Sequence, residues 1–294
     1  MEVIFIKIGF IGAGKVGFSL GKYLKENNIN VTGYYSKNNK SSKEACNFTE
    51  TKQYFSLKEI LNESDTIFIT TPDMEISNVW NEIKKYPIKD KIICHFSGLL
   101  SSEIFSNIHK FGAYGYSIHP MFAISDKYNS YKDLKNAFIT IEGDPKFLET
   151  IYDLFKDLGN SVKIINKENK SLYHLSSVMV SNVVVGLMNN SINYLNSCGF
   201  TKEEALEALY PLALINLKNI NSKGVTKSLT GPVERGDLKT LQSHFRSIPK
   251  KDREMYRILS KNLTSIAKAK NENRDYKKLE EFLERDYEEY SNNI

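Results

Sequence analysis

Glycines at 12, 14 and 17 give the run Gly12-Ala13-Gly14-Lys15-Val16-Gly17, the spacing G-x-G-x-x-G. An apolar run, Ile4–Ile11, leads into it, and Lys15–Asn28 leads out with Val16, Leu20, Tyr23 and Leu24 on one helical face. Between a strand and a helix, each glycine has a task. Gly12 permits a tight turn, Gly14 lets the backbone approach an anion, and Gly17 lets the helix pack closely on the strand. The unpaired N–H groups and the dipole at the helix start then suit a pyrophosphate. The loop, with Ala13, Lys15 and Val16, is therefore predicted to hold a dinucleotide. A glycine-rich turn without a ligand is the alternative.

The segment after the second strand predicts which dinucleotide. An NAD site places Asp or Glu about 20 residues after the loop, where it accepts from the ribose 2′-hydroxyl. Here V-T-G-Y-Y is followed by Ser36-Lys37-Asn38-Asn39-Lys40-Ser41-Ser42, with no acid before Glu44. Ser36, Lys37 and Ser41, with Lys40 and Ser42, can donate to a 2′-phosphate that an acid would repel, so NADP(H) is the expected cofactor. Two further strand ends face the same crevice, because ligands in such sheets bind beyond the carboxyl ends of the strands. Thr70, Thr71 and Pro72 are expected beside the dinucleotide, and Ser97 beside the nicotinamide or substrate.

Hydride transfer to C=O or C=N also needs a proton donor and groups that polarise the substrate. On a helix expected over 172–197, His174 and Asn182 lie eight residues apart, close to one stripe. His174 reads as general acid, since histidine titrates near neutrality, or as a polar residue satisfied in a helix interface. Asn182 and Ser97 are candidates to polarise the substrate. Arg235, in the turn-forming loop Thr230–Asp237, either clamps a substrate carboxylate or pairs with Glu234 or Asp237. His119 reads as a crevice residue or a structural histidine, and Asp237 as a helix N-cap.

The elements that must position these residues change character midway. Strands are predicted at Asn30–Ser36, Thr66–Thr70, Lys91–Ser97, Tyr114–His119, Ala137–Glu142 and Ser161–Ile165. Helices are predicted at Leu57–Asn62, Met74–Tyr86, Ser101–Phe111 and from Asp144 to Leu158. Alternation at these lengths implies a doubly wound, mostly parallel α/β sheet. After about 166 the pattern is helix only. Thr201 with Glu204 forms a capping box, Pro211 is expected to kink or interrupt the helix that follows, and further helices are read at Leu238–Ser247, Lys251–Ala269 and Tyr276–Tyr290. The expected division is a Rossmann domain over 1–166 and an all-helical domain over 167–294.

Composition sets outer limits. The net charge of +5, from 40 basic and 35 acidic residues, is interleaved along the chain and gives no footprint for nucleic acid. Three separated cysteines form neither a disulfide framework nor a metal site, and no metal constellation is visible. The opening residues 1–11 carry Glu2 and run into the glycine loop, unlike a signal peptide. Val178–Met188 is polar-interrupted and too short to span a bilayer. A cytoplasmic protein without membrane or nucleic-acid partners is expected.

The chain resembles a family of candidate NADP oxidoreductases that join a Rossmann-like domain to an all-helical domain of uncharacterised function. More distantly it is similar to the superfamily of 6-phosphogluconate dehydrogenase, ketopantoate reductase and pyrroline-5-carboxylate reductase. The nearer match rests on I-G-F-I-G-A-G-K-V-G (8–17), H-F-S-G-L-L-S-S-E (95–103), S-I-H-P-M (117–121), Y-H-L-S-S-V-M-V-S-N (173–182) and L-T-G-P-V-E-R-G-D (229–237). The resemblance implies the fold, an NADP-linked role and a homodimer through the helical half. It supplies no substrate. Ketopantoate reductases place a lysine at the start of the helix that follows the sheet. His174 reads as occupying that position here, so the lysine mechanism is not carried over. An NADP(H)-dependent oxidoreductase of a small carbonyl or imine is the expectation, and a non-catalytic NADP(H)-binding sensor or assembly protein is the alternative.

Overall fold

The computed structural model describes residues 6–284. The start of the first expected strand and the end of the last expected helix, beyond Glu284, lie outside the described residues. Two compact units are present, the first ending at Val185 and the second beginning at Gly186.

The first unit is built on an eight-stranded sheet in the order β3-β2-β1-β4-β5-β6-β7-β8. Its strands are β1 (Ile8–Ile11), β2 (Val31–Tyr35), β3 (Lys52–Tyr54), β4 (Thr66–Ile69), β5 (Ile92–His95), β6 (Tyr114–Met121), β7 (Phe138–Gly143) and β8 (Ser161–Ile164). Every residue of β1 (I-G-F-I), β4 (T-I-F-I) and β5 (I-I-C-H) is buried. Such continuous apolar runs belong to strands covered on both faces. Pairing is parallel throughout except β6 with β7, which is antiparallel. The chain leaves β1 in one direction and returns at β4 in the other, so a crevice opens at the carboxyl ends of these two neighbours.

Helices α1 (Lys15–Glu26), α2 (Asn39–Thr49), α3 (Leu57–Glu63), α4 (Asp73–Ile83) and α5 (Leu148–Asp157) cover the two faces. Phe10, Phe68 and Tyr116 pack with Phe18 and Leu24 of α1 and Phe155 of α5 on one side. Ile67, Ile69 and Ile93 pack with Ile60 of α3 and Trp80 of α4 on the other. The Tyr34 hydroxyl donates to Gly17 O at 3.0 Å and ties β2 to α1. Trp80 is fully buried, its indole N–H donating to Ser106 O at 3.2 Å.

Several expectations are corrected here. α2 and β3 lie between β2 and α3, where no element is predicted. Residues 101–111 form two short 3₁₀ turns, Ser102–Ile104 and Ile108–Phe111, rather than a helix. Asn107 between them adopts a left-handed backbone (φ 58°), which breaks α-helical geometry. The helix expected over 172–197 is two helices, α6 (Lys170–Val180) and α7 (Asn182–Ser197), separated at Ser181 (φ −110°, ψ −79°). The run Lys167–Ser197 spans 31 residues with a mean hydropathy of 1.4 in its most apolar window, none of which is buried. By length and composition alone it is adequate to cross a membrane, contrary to the shorter stretch read from sequence.

The second unit holds the rest of α7 with α8 (Lys202–Ser228), α9 (Pro232–Arg235), α10 (Leu238–Ser247), α11 (Arg253–Lys270) and α12 (Lys277–Glu284). The Thr201–Glu204 capping box forms: Thr201 Oγ1 accepts from Glu204 N at 3.2 Å and Glu204 Oε2 from Thr201 N at 2.8 Å. α8 continues through Pro211, and its non-helical residue is Gly224 (φ 76°) instead. Asp237 caps α10 by accepting from Thr240 N. Val233, Leu241, Phe245, Leu279, Phe282 and Leu283 form this unit's core.

Replacing Trp80 by Ala removes a fully buried aromatic and leaves Ser106 O without its donor. The expected cost is about 3–5 kcal/mol of stability, read as a lower midpoint in urea unfolding. A midpoint within error of the wild type contradicts the packing described for this face.

Candidate active site

The carboxyl ends of β1 and β4 meet at the glycine loop. Gly12 has φ 109°, and a Cβ there would lie within 2.9 Å of the Thr70 carbonyl carbon and oxygen and of Thr71 N. Only glycine combines that backbone with that approach. Thr70 Oγ1 donates to Gly12 O at 2.9 Å and lies 2.6 Å from where a Gly17 Cβ would be. Thr70 therefore holds the loop and spends its hydroxyl proton on it. α1 begins behind Gly14 without a side-chain cap and without an acid in its first turn. Its first N–H groups and the positive end of its dipole face the crevice. Gly14 and Lys15 are exposed, and Ala13 and Val16 half-buried. Across from them Thr71 Oγ1 is buried with no hydrogen-bond partner, a group that needs an acceptor or donor from outside the protein. Pro72 is exposed at the start of α4. An anionic dinucleotide fits this set of groups.

After β2, Asn38 caps α2 by accepting from Lys40 N and Ser41 N. Ser36 Oγ accepts from Asn38 N at 3.3 Å, so its own proton is uncommitted. Ser41 is half-buried, and Lys37 is exposed and paired with Glu75 of α4 at 3.4 Å. Ser42 is fully buried, donating to Asn39 O and accepting from Gln53 Nε2. It packs under α2 and is not free for a phosphate, which corrects its reading as a donor.

A cluster of titratable side chains lies at the carboxyl ends of β5 and β6, against the start of α6. The turn Ser97-Gly98 is at its centre. Ser97 Oγ donates to Asp73 Oδ2 at 2.5 Å and accepts from Leu99 N and Leu100 N. Its hydroxyl is fully used in shaping the turn and linking it to α4. A Cβ on Gly98 would lie 2.7 Å from His174 Cδ2 and 2.9 Å from His119 Nε2. The two imidazoles are 6.5 Å apart, and His119 Nδ1 lies 2.7 Å from Tyr173 Oη. The sequence-predicted Ser97, His119 and His174 are thus brought together, with His174 half-buried.

Lys170 is the residue that sequence reading missed. It opens α6, one turn before His174, so the chain does carry a lysine at the start of the helix after the sheet. Its side chain is buried, and its ammonium donates to Ser97 O at 2.9 Å and Ser117 Oγ at 2.8 Å. Burial pushes its pKa down to about 8, opposed by Glu142 and Asp73. Glu142, also buried, accepts from Ser102 N and Ser102 Oγ, and burial raises its carboxyl pKa. His119 is pushed down to about 4 by burial, with Lys170 and His174 adding to the effect. His95 is likewise pushed down to about 4, by burial first and by Lys170 as well, with its bond to Ser101 O opposing. His95 Nδ1 accepts from Ser97 N at 3.2 Å, which leaves the ring proton on Nε2 for Ser101 O.

Two other candidates are not among these residues. Asn182 is exposed at the start of α7, beyond the break at Ser181, and its Oδ1 accepts from Ser181 Oγ at 2.9 Å. The break removes the continuous stripe that linked it to His174. Arg235 is exposed at the end of α9 in the second unit. Its neighbour Glu234, not Arg235, is the paired residue, accepting from Asn271 and Arg274. Among the described residues no group of three or more His, Cys, Asp or Glu could hold a metal ion.

Comparison with known proteins agrees with this architecture. Residues 2–120 match the Rossmann-like domain model, and residues 137–263 match a domain of unknown function, DUF2520. The chain joins a Rossmann-like domain to a DUF2520 domain. The resemblance drawn from the five motifs holds at this level. No curated protein sequence matches the chain. A crystal structure from Thermotoga maritima is similar at 26% identity, covering 90% of this chain and 99% of its own, with a TM-score of 0.71. A candidate NADP oxidoreductase from Bacteroides fragilis gives 18% identity, coverage of 88% and 98%, and a TM-score of 0.71. The Plasmodium falciparum pyrroline carboxylate reductase with NADP bound gives 15%, 90% and 97%, and 0.58. At these two identities the likeness is one of fold.

The two depressed histidines make stability depend on acid. Between about pH 6.5 and 4 the unfolded chain binds protons that folded His95 and His119 exclude, so stability is full above 6.5 and falls as pH drops through this window. The thermal midpoint is expected to fall between pH 6.5 and 4, and to fall less steeply in His95→Gln. An equal slope in both proteins would show that His95 is not held neutral by its surroundings.

Proposed function

We propose that this protein is an NADP(H)-dependent oxidoreductase that transfers a hydride to or from a small carbonyl or imine substrate. The observation that carries the reading is the pairing of two features in one unit. The uncapped, acid-free start of α1 beside the orphaned Thr71 hydroxyl suits a dinucleotide, and the His119, Tyr173, His174 and Lys170 cluster lies at the same edge of the sheet. The bound NADP is stated of the Plasmodium reductase, and the shared fold supports a pyridine nucleotide here. The extra phosphate is assigned to Ser36, Lys37 and Ser41, with Lys37 exchanging its pairing with Glu75 for the phosphate.

When bound, the reduced nicotinamide supplies the hydride. The chain supplies the rest. Gly12, Gly14 and Gly17 admit the pyrophosphate to the helix end, with Ala13, Lys15 and Val16 lining it. Thr70 braces the loop, and Thr71 and Pro72 flank the cofactor. His174, half-buried against Gly98, gives a proton to the substrate atom that receives the electron pair of the C=O or C=N bond, and recovers one from solvent. Lys170 acts as a positioning residue. Its two hydrogen bonds fix the Ser97 turn between β5, β6 and α6, and its positive charge favours negative charge developing above it. Ser97 shapes that turn through Asp73. Asn182 is assigned to the substrate's outer contacts only, and Arg235, in the second unit, is given no role in the step.

A homodimer is part of the proposal. Leu172, Val180 and Val185 in the first unit, and Tyr210 and Leu212 of α8 in the second, are each more than half exposed, and exposed apolar side chains in number favour a covering partner. A second copy would cover them without a membrane, and three unpaired cysteines suit a cytoplasmic protein. A monomeric mass by light scattering across the working concentration range removes the dimer.

The test is NADPH oxidation across keto acids, aldehydes and cyclic imines. His174→Ala is expected to lower turnover ~10²–10⁴-fold while NADPH affinity stays within a few-fold. Equal turnover in mutant and wild type takes His174 out of the mechanism. NADPH binding with no oxidation of any substrate favours a sensor instead.

A further inference from the structure

The segment after β2 carries no acid before Glu44, yet the fold brings one to it from α4. That helix opens with two acids, Asp73 and Glu75. Side chains two residues apart on a helix point to nearly opposite sides, and these two do. Asp73 Oδ2 accepts from Ser97 Oγ at 2.5 Å, in the turn after β5. Glu75 Oε2 lies 3.4 Å from Lys37 Nζ, in the segment after β2. Glu44 itself is taken by Lys127 and Tyr128, and the first turn of α2 holds no acid. Glu75 is therefore the carboxylate that acts on Lys37. Their side chains are 43% and 81% exposed, so either can move to a ligand. Among the three residues assigned to the extra phosphate, Lys37 is the charged one.

We propose that Glu75 is a specificity-determining residue for the cofactor: it competes with the 2′-phosphate of NADPH for Lys37, and accepts from the ribose 2′-hydroxyl of NADH. The inference rests on the proposed function and deepens it, because it names what sets the choice between the two nucleotides. A phosphate monoester carries about two negative charges at neutral pH, and an exposed ion pair is weak. The phosphate therefore takes Lys37 from Glu75, at the cost of breaking the pair and of facing a carboxylate left without its cation. With NADH the pair persists. A carboxylate so held offers a lone pair to the 2′-hydroxyl, the task that an acid at the end of the second strand performs in an NAD site. Here the acid comes from α4, forty residues later in the chain than any such position. The protein consequently prefers NADPH by less than Ser36, Lys37 and Ser41 alone would give, and NADH remains a ligand.

The experiment is titration calorimetry of the full chain with NADPH and with NADH at low ionic strength, where an exposed pair counts most. Glu75→Gln removes the charge and keeps an acceptor. It should tighten NADPH ~2–5-fold and leave NADH nearly unchanged. Glu75→Ala removes both. It should tighten NADPH similarly and weaken NADH ~2–5-fold. In Lys37→Ala the gain from adding Glu75→Gln should shrink, since no ammonium is left to compete for. A merely structural role for Glu75 would move both nucleotides in the same direction. NADPH affinity that Glu75→Gln leaves unchanged or weakens overturns the proposal, as does NADH affinity untouched by Glu75→Ala. Those results leave the proposed function standing. A wild type that binds neither nucleotide removes the proposed function and this inference with it.

Discussion

The close approach of two parallel strands at their carboxyl ends is the constraint on which the rest depends. Thr70 Oγ1 reaches Gly12 O at 2.9 Å, and there is no room for a Cβ on Gly12 or Gly17. That contact sets where α1 begins. Because α1 begins behind a glycine, its first N–H groups have no side chain to satisfy them, and an anion becomes the natural partner. Next to the same crossing, the buried Thr71 hydroxyl is left without a hydrogen-bond partner. A larger residue at 12 or 17 would force the loop outward and dismantle both features together.

A second arrangement follows from the first, one strand further along. β5 and β6 end beside the crevice, and α6 is pinned against them by a buried ammonium. The polar groups around Lys170 are nearly all hydrogen-bonded: Ser97, Ser117, His95, Glu142 and Ser102 each have partners. Such a network is stiff, because an unmet partner in a low-dielectric interior is costly. Beside it, His119 and His174 are half-buried, their rings 6.5 Å apart. Rigid surroundings are what a site that must orient a small substrate requires.

How much of this the sequence disclosed follows from burial. β1, β4 and β5 were legible because strands covered on both faces must be apolar throughout, and the runs I-G-F-I, T-I-F-I and I-I-C-H are. The glycine loop was legible because its spacing sits between those signals. α2 was not, since its buried face is made of Ser42, Ala45, Cys46 and Thr49, small and partly polar residues that look like a loop. Residues 101–111 carry helical spacing, yet the Glu142 carboxylate draws Ser102 N to 2.6 Å, a tether from a distant strand that no local window contains. The antiparallel turn of β7 against β6 is equally non-local.

Lys170 was hidden for a different reason. It stands in the charged stretch Lys163-Ile164-Ile165-Asn166-Lys167-Glu168-Asn169-Lys170, where lysine ordinarily marks a solvated surface, and only its three-dimensional neighbours show that it is buried. His174 was found because an isolated imidazole on an apolar helix stands out. Its companion Tyr173 did not, because tyrosine on such a helix usually signals packing.

The central claim is that the start of α1 and the segment after β2 bind NADP(H). Isothermal titration of the purified protein with NADPH and with NADH tests it most directly. The account predicts saturable binding of NADPH, clearly tighter than NADH, with the difference reduced when Lys37 and Ser41 are both replaced by Ala. No heat of binding for NADPH at millimolar concentration, or a clear preference for NADH, would contradict it.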